Sequence, residues 1–169
     1  MAKLVLICGK LCCGKTTYAK RLAKEIQAVR LSCDDIMLSL FGKDLGDKHD
    51  EVAQRVQRFL LKQSLEMLEA GVSVIVDFGF WRKAQRENVT TLYKQQGITP
   101  EWHYIDIDDE TWKRNIAKRN AAVTKNETLD YYVDEGLAHK CETRFEKPQP
   151  NEMDVWYTNR WFDSWQNCC

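Results

Sequence analysis

The sequence predicts an α/β fold built on a parallel β-sheet. Short apolar runs alternate with longer stretches of helical periodicity, the order that lays successive strands side by side with helices on the sheet faces. The first strand, Lys3 to Cys8, carries the unbroken apolar run Leu4-Val5-Leu6-Ile7, as strands covered on both faces do. It passes into a glycine-flanked segment, Gly9 to Gly14, and then directly into a helical pattern.

From Lys15 to Ala28, Tyr18, Leu22, Ala23 and Ile26 fall on one side of a helix, with basic residues elsewhere. A short second strand follows from Ala28 to Ser32, a short helix from Asp34 to Phe41, and a polar connection to Asp50. Val52, Val56, Phe59, Leu60, Leu65 and Leu68 then recur at steps of three and four, predicting a long helix from Asp50 to Ala70 that stops at Gly71. Val72 to Asp77 is the third strand. A helix from Arg82 to Gln96 stops at Gly97, and Glu101 to Ile107 is the fourth strand.

The next helix begins near Asp108. An aspartate at a strand-to-helix junction accepts an orphan backbone N–H, so Asp108 and Asp109 are read as capping residues rather than metal ligands. A polar stretch runs from Asn120 to Leu129, a helix from Tyr131 to Phe145, a loop holds Pro148 and Pro150, and a last strand runs from Met153 to Thr158. The aromatic tail with Trp156, Tyr157, Trp161, Phe162 and Trp165 is expected to pack on the sheet.

A chain of 169 residues is expected to form one domain over residues 1–169, since it can bury roughly two-thirds of its unfolded surface around a single core. Lysine plus arginine and aspartate plus glutamate both total 25. No overall field draws the chain to a polyanion or a membrane, so phosphate recognition has to be local. Seven cysteines are an odd number, and the adjacent pairs Cys12-Cys13 and Cys168-Cys169 suit no disulfide framework. Reduced thiols and a cytoplasmic location are expected. No segment reaches the roughly 20 apolar residues of a membrane span, and Gln166-Asn167-Cys168-Cys169 lacks the usual prenylation pattern. A paired-cysteine anchor is the remaining membrane alternative.

Gly9-Lys10-Leu11-Cys12-Cys13-Gly14-Lys15-Thr16 matches the full G-x-x-x-x-G-K-[ST] pattern in the strand–loop–helix context that pattern requires. Glycines let successive N–H groups turn inward to an anion, and the helix N-terminus adds partial positive charge. Lys15 is expected to reach the β- and γ-phosphates of ATP, and Thr16 to hold Mg²⁺. Thr17, next in the first helical turn, is counted with the nucleotide-binding residues. Cys12 and Cys13 are read as small side chains where backbone approaches phosphate, with a redox role as the alternative at a helix N-terminus.

In open α/β sheets ligands lie beyond the carboxyl ends of the strands. Ser32-Cys33-Asp34-Asp35 follows the second strand, and Asp77-Phe78-Gly79-Phe80-Trp81 closes the third. Phosphoryl transfer to an alcohol needs alignment and charge neutralisation, together with a carboxylate that accepts the acceptor's proton. Asp34 is assigned that part. Asp35 is expected to cap the following helix, and it is grouped with Asp34, Trp81 and Arg82 on the acceptor side. Asp77, ending Val74-Ile75-Val76, is expected to hold Mg²⁺ or its water as a Walker B carboxylate does. Arg82 and Arg86 lie four apart at a helix start, either to bind an anionic acceptor or as a solvated face with Glu87. His49, His103 and His139 have no metal-like spacing and no catalytic role is assigned to them.

Gly9 to Thr16, Ser32-Cys33-Asp34-Asp35, Val76-Asp77-Phe78-Gly79-Phe80-Trp81 and Arg119-Asn120 together resemble the zeta-toxin, polynucleotide kinase and chloramphenicol phosphotransferase-like group of P-loop kinases, over most of the chain to about Glu152. The resemblance implies a doubly wound parallel sheet, a base at Asp34, and a mobile helical lid over about residues 114–145. It implies that Arg114 and Arg119 are candidates to neutralise the transferring charge. Arg114 and Lys118 share a helix side while Arg119 points elsewhere, so the three are not expected all to face the nucleotide. It also implies that the loop from Lys147 to Pro150 lies beside the purine. Two departures stand out. Met37 occupies a position where polynucleotide kinases of the group carry arginine, and Val123 stands where a further lid arginine is often found.

These readings point to an ATP- and Mg²⁺-dependent kinase acting on the hydroxyl of a small molecule such as an antibiotic, a sugar or a nucleoside-like compound. A 5′-hydroxyl polynucleotide kinase is the nearer alternative, disfavoured by Met37 and the zero net charge. A non-catalytic ATP-binding regulatory protein is the alternative of another class.

Overall fold

The computed structural model describes residues 2–43 and 45–158; the expected packing of Trp161, Phe162 and Trp165, and the Cys168-Cys169 pair, lie outside them. The strands are β1 (Leu4–Cys8), β2 (Val29–Ser32), β3 (Val74–Gly79), β4 (Glu101–Ile105) and β5 (Val155–Tyr157), and the helices are α1 (Lys15–Glu25), α2 (Cys33–Phe41), α3 (His49–Glu69), α4 (Lys83–Gln95), α5 (Asp109–Thr124) and α6 (Glu135–Arg144). The strands form one sheet in the order β2-β3-β1-β4-β5. Every pairing is parallel. This is the doubly wound arrangement, with β1 at its centre.

Side chains alternate across a strand, and β1 divides accordingly. Leu4, Leu6 and Cys8 join Val74, Val76, Trp102 and Tyr104 in one core, closed by Leu60 of α3 and Tyr93 of α4. Val5 and Ile7 join Ile75 and Ile105 in the other, closed by Tyr18 of α1, Trp112 of α5 and Cys141 of α6. Burial on both faces explains why β1 has no polar position. His103 is accommodated in the second layer by its ring nitrogens, 2.7 Å from the Tyr18 hydroxyl and 2.8 Å from Glu101.

Several element ends differ from expectation for identifiable reasons. Ser32, not Asp35, caps α2, its hydroxyl accepting the Asp35 N–H at 3.3 Å, so the helix begins one residue early. Asp35 turns instead to Arg30. Asp108 caps α5 as expected, accepting from Thr111 N–H at 2.6 Å. α6 begins at Glu135, not Tyr131, because Asp134 supplies its cap to Leu137 N–H and Asn120 holds the preceding chain extended. The Asn120 side chain both donates to the Val133 carbonyl and accepts from its N–H, each at 2.8 Å.

No helix among the described residues is long and apolar enough to cross a membrane.

Candidate active site

The centre of the sheet determines where the glycine loop lies. Gly9 leaves β1 with its N–H donating to the Gly79 carbonyl at 3.0 Å, tying the start of the loop to the end of β3. A Cβ at Gly9 would meet Cys13 Sγ at 2.6 Å and the Ile105 carbonyl at 3.0 Å, so only glycine lets the loop close this tightly. Cys12 takes φ 58° and Gly14 φ 96°. Such left-handed positions turn successive backbone N–H groups toward one centre, and Gly14 opens α1 without a side-chain cap, leaving the first-turn N–H groups of the helix for an anion.

The outside of the loop is held by the helices that cover it. Trp112 Nε1 donates to the Leu11 carbonyl at 2.7 Å, Asn115 Nδ2 to the Cys12 carbonyl at 3.0 Å, and Leu11 N–H to Cys141 Sγ at 3.4 Å. Trp112, Asn115 and Cys141 were not singled out in the sequence. Their polar atoms lie more than 100 residues away along the chain, and no local motif marks them.

The loop borders an open cleft of about 1940 Å³. That is roughly twice the upper end of the range for a single-ligand pocket, giving space for a nucleotide and an acceptor together. Leu11 through Thr17, Asp34, Asp35, Asp77, Trp81, Arg82, Arg114 and Arg119 all border it. Gly9 and Lys10 do not. Gly9 is buried, and the Lys10 ammonium turns to Asp109 at 3.3 Å and over the Trp112 ring at 5.0 Å. The expected contribution of Lys10 therefore reduces to its backbone, whose carbonyl accepts a hydrogen bond from Lys15 Nζ.

Lys15 is half-buried at the cleft floor. Burial by itself lowers an ammonium pKa, but Cys13, Asp77 and Asp34 outweigh it and hold Lys15 above the ordinary lysine value. It stays charged at neutral pH. Thr16 Oγ1 donates to Asp77 Oδ2 at 3.1 Å, and Arg30 donates to the same oxygen at 3.1 Å. Asp77 is buried, and this pairing is what permits a carboxylate there. A hydroxyl and a carboxylate oxygen side by side beneath the anion cradle are hard oxygen donors of the kind Mg²⁺ takes, so the residues present fit the ion expected there.

Asp34 comes from the first turn of α2. The residue keeps an exposed surface, but the protein around its carboxyl takes water away from it, and this desolvation pushes its pKa above the ordinary value, with Asp77 adding to the shift and Lys15, Arg119 and His49 opposing it. A carboxylate poised in this way can receive a proton from an alcohol. His49, given no role from its spacing, thus lies within electrostatic reach of Asp34.

α5 supplies the basic wall. Arg114, Lys118 and Arg119 all border the cleft, which is wide enough to take in the whole arc of the helix. Arg119 reaches the loop itself, its guanidinium 3.4 Å from Cys12 Sγ and 3.6 Å from Asp130. On the other side Gly79 (φ 90°) and Phe80 (φ 44°) turn the chain after β3. A Cβ at Gly79 would meet Trp81 Nε1 at 3.0 Å, so Trp81 folds back over the turn at the cleft edge.

Arg86 takes neither of its expected parts. Its side chain is only 3% exposed, paired with Glu152 at 3.0 Å, and it donates to the carbonyls of Phe80 and Glu146. It is an internal strut between α4 and the turn after β3. Lys147 pairs with Asp106 at 2.8 Å, which engages the charge of the loop expected beside the purine.

A family described as an AAA domain matches residues 4–136. No curated protein matches the chain. Among solved structures, a putative kinase from Chloroflexus aurantiacus is similar at 20% identity, covering 93% of this chain and 86% of that one with a TM-score of 0.71. The APS kinase of Mycobacterium tuberculosis, solved with AMPPNP and APS, is similar at 19% identity over 94% and 88%, TM-score 0.66. Kti12 of Chaetomium thermophilum, solved with ADP-AlF3, is similar at 15% identity over 97% of each chain, TM-score 0.68. At these identities the likeness is one of fold, the doubly wound P-loop architecture.

Proposed function

Since the chain belongs to the AAA domain family, we propose that it is an ATP- and Mg²⁺-dependent kinase that phosphorylates a hydroxyl group of a small molecule. One observation carries the reading. The glycine loop with Lys15 and Thr16, and the Asp34 carboxylate, converge on a single cleft and act on one another's charge. An anion cradle alone binds nucleotide; a carboxylate facing it supplies the place where an alcohol is received.

In this reading the loop N–H groups from Leu11 to Thr17 grip the phosphates and Lys15 neutralises the terminal ones. Thr16 and Asp77 would hold the metal, which would supply positive charge to offset that of the phosphate oxygens. Asp34 accepts the hydroxyl proton and orients the oxygen. Arg119, with Arg114 behind it on the exposed side of α5, stabilises the charge of the moving phosphoryl group. Trp81 and Arg82 border the entrance for the acceptor, while Asp35 keeps Arg30 in place beside Asp77. α5, α6 and the chain between them, about residues 114–145, serve as the lid.

The narrower resemblance to the zeta-toxin, polynucleotide kinase and chloramphenicol phosphotransferase-like group supports the base and lid assignments. The polynucleotide variant is disfavoured, because Met37 is buried at 1% exposure and presents no cation to a phosphate-bearing strand. Calorimetry with Mg²⁺ and ATP, followed by transfer from radiolabelled ATP to a panel of hydroxyl compounds, tests the proposal. Micromolar ATP binding with label transferred to a small alcohol is expected. ATP binding without transfer to any member would leave the regulatory alternative in possession.

A further inference from the structure

Asp77 reaches the cleft floor with its charge already answered by an arginine that lies outside every motif of the sequence. Its Oδ2 accepts from Thr16 Oγ1 and from Arg30, each at 3.1 Å. A carboxylate oxygen offers about two lone pairs, so both on this oxygen are in use. The register of β2 explains the second donor. Ser32 lies opposite Asp77, and Arg30, two residues earlier, shares the Ser32 face of the sheet, so its guanidinium runs along that face to the carboxylate. Its other arm pairs with Asp35 in the first turn of α2.

Burial accounts for a partner at Asp77 but not for this one. A desolvated carboxylate needs hydrogen bonds, and a neutral donor beside Thr16 can supply them. What a guanidinium adds is a permanent positive charge. The Arg30 side chain is 12% exposed and that of Asp77 3%, so dissolved ions screen the pair weakly. Lys15 acts on Asp77 from the glycine loop as well.

These charges oppose a metal ion that comes alone. In the reading above Asp77 is a metal carboxylate, and Arg30 donates to the same oxygen that Thr16 does. A free cation at that oxygen meets a fixed one within hydrogen-bond distance of its ligand. The other carboxylates do not make up the difference. Asp35 is engaged by Arg30, and Asp34, with Lys15 and Arg119 acting on it, adds one charge. Magnesium is held by one or two carboxylates together with substrate phosphates rather than by protein alone. A triphosphate in the glycine loop brings the negative charge that the floor lacks.

We propose that Arg30 is a positioning residue that makes metal binding conditional on the nucleotide: it fixes the Asp77 carboxylate at the cleft floor and offsets its charge, so that a divalent cation is held firmly only when phosphates occupy the glycine loop. This deepens the metal assignment made above and rests on it. Arg30 takes no part in bond making or breaking. Its contribution is electrostatic, and the same side chain, through Asp35, ties the metal carboxylate of β3 to the helical turn that carries Asp34.

The test measures Mn²⁺ binding to the nucleotide-free full chain by electron paramagnetic resonance, with no acceptor present, alongside melting temperatures and calorimetry of AMPPNP with and without Mn²⁺. Arg30→Gln keeps a hydrogen-bond donor and drops the charge; Arg30→Lys keeps the charge. The wild type is expected to bind Mn²⁺ weakly, Arg30→Gln about tenfold more tightly or better, as removal of a poorly screened like charge requires, and Arg30→Lys as the wild type does. The gain should vanish in the double variant Arg30→Gln, Asp77→Asn. Micromolar binding of Mn²⁺ by the nucleotide-free wild type overturns the proposal, even where a variant fails to fold. So does an unchanged Mn²⁺ affinity in Arg30→Gln, with or without a lower melting temperature, which makes Arg30 a structural partner only. A gain that survives Asp77→Asn, or appears equally in Arg30→Lys, overturns it too. AMPPNP binding by the wild type that ignores Mn²⁺ removes the metal assignment and this inference with it. Failure to find a phosphoryl acceptor sinks the kinase reading alone, since no acceptor enters these measurements.

Discussion

Thr16 Oγ1 lies 3.1 Å from Asp77 Oδ2, joining the first turn of α1 to the fourth residue of β3 across the cleft floor. In the proposed function these two oxygens are the ones that would hold the divalent ion. Thr16→Ala removes one of them, and because Thr16 is exposed and Asp77 keeps Arg30, the fold is retained. The Mg²⁺ concentration for half-maximal turnover is expected to rise about tenfold, on the order of one lost oxygen contact. A magnesium titration of turnover at saturating ATP checks this.

Asp34→Asn keeps the shape of the side chain and removes its basicity. Turnover is expected to fall by about 10²–10⁴, with ATP affinity changed by less than threefold or so, since the phosphates are held by loop N–H groups and Lys15. Steady-state kinetics set beside calorimetry separates the two effects. Unchanged ATP consumption in the variant would point to the regulatory alternative.

The pH dependence has a defined sign. Crowding raises the folded-state pKa of Asp34 above its unfolded value, so the stability this group contributes is present below about 4, the ordinary aspartate range, and is lost as pH rises through the folded value. Asp34→Asn should therefore melt higher than wild type at neutral pH, with the gap closing on acidification. Catalysis runs the other way, because the base acts only when ionised. The acid limb of the kcat profile is expected above the ordinary aspartate value and absent from the variant's residual rate.

Arg86→Ala tests the strut. It strips Glu152 of its partner and leaves the Phe80 and Glu146 carbonyls without their donor. Removing one side of a buried pair costs about 3–5 kcal/mol, and urea unfolding should show a loss of that order. ATP affinity of the folded fraction is expected to stay near wild type, whereas an anion-binding role would appear as a selective rise in acceptor KM.

Thiol chemistry offers a further handle on the loop. Burial pushes Cys8 and Cys33 up to about 12, leaving them as unreactive thiols at neutral pH. Cys12 is half-buried and borders the cleft. Iodoacetamide followed by peptide mapping should label Cys12 fastest among the described cysteines, and ATP with Mg²⁺ should slow that labelling.

The fold was legible because its signals are local. An unbroken apolar run at β1, helix stops at Gly71 and Gly97, and a complete phosphate-loop pattern each occupy a few consecutive residues. That Lys15, Thr16, Asp34 and Asp77 border one cleft follows from the same kind of signal, since strand ends converge in this architecture. What escaped was long-range pairing. Nothing near Lys10 in sequence announces that Asp109 and Trp112 draw its ammonium away, and nothing near Arg86 announces Glu152. The sequence pattern predicts a helix already at Tyr131, because the Asn120 clip that keeps this chain extended lies 13 residues from Val133 and has no periodicity.

Trp112, Asn115 and Cys141 moor the outer face of the glycine loop to α5 and α6. A loop tethered in this manner cannot relax around its cargo by itself. The two carbonyl bonds tie it to α5 and the Leu11 N–H bond ties it to α6, so any displacement of the loop is carried into both helices.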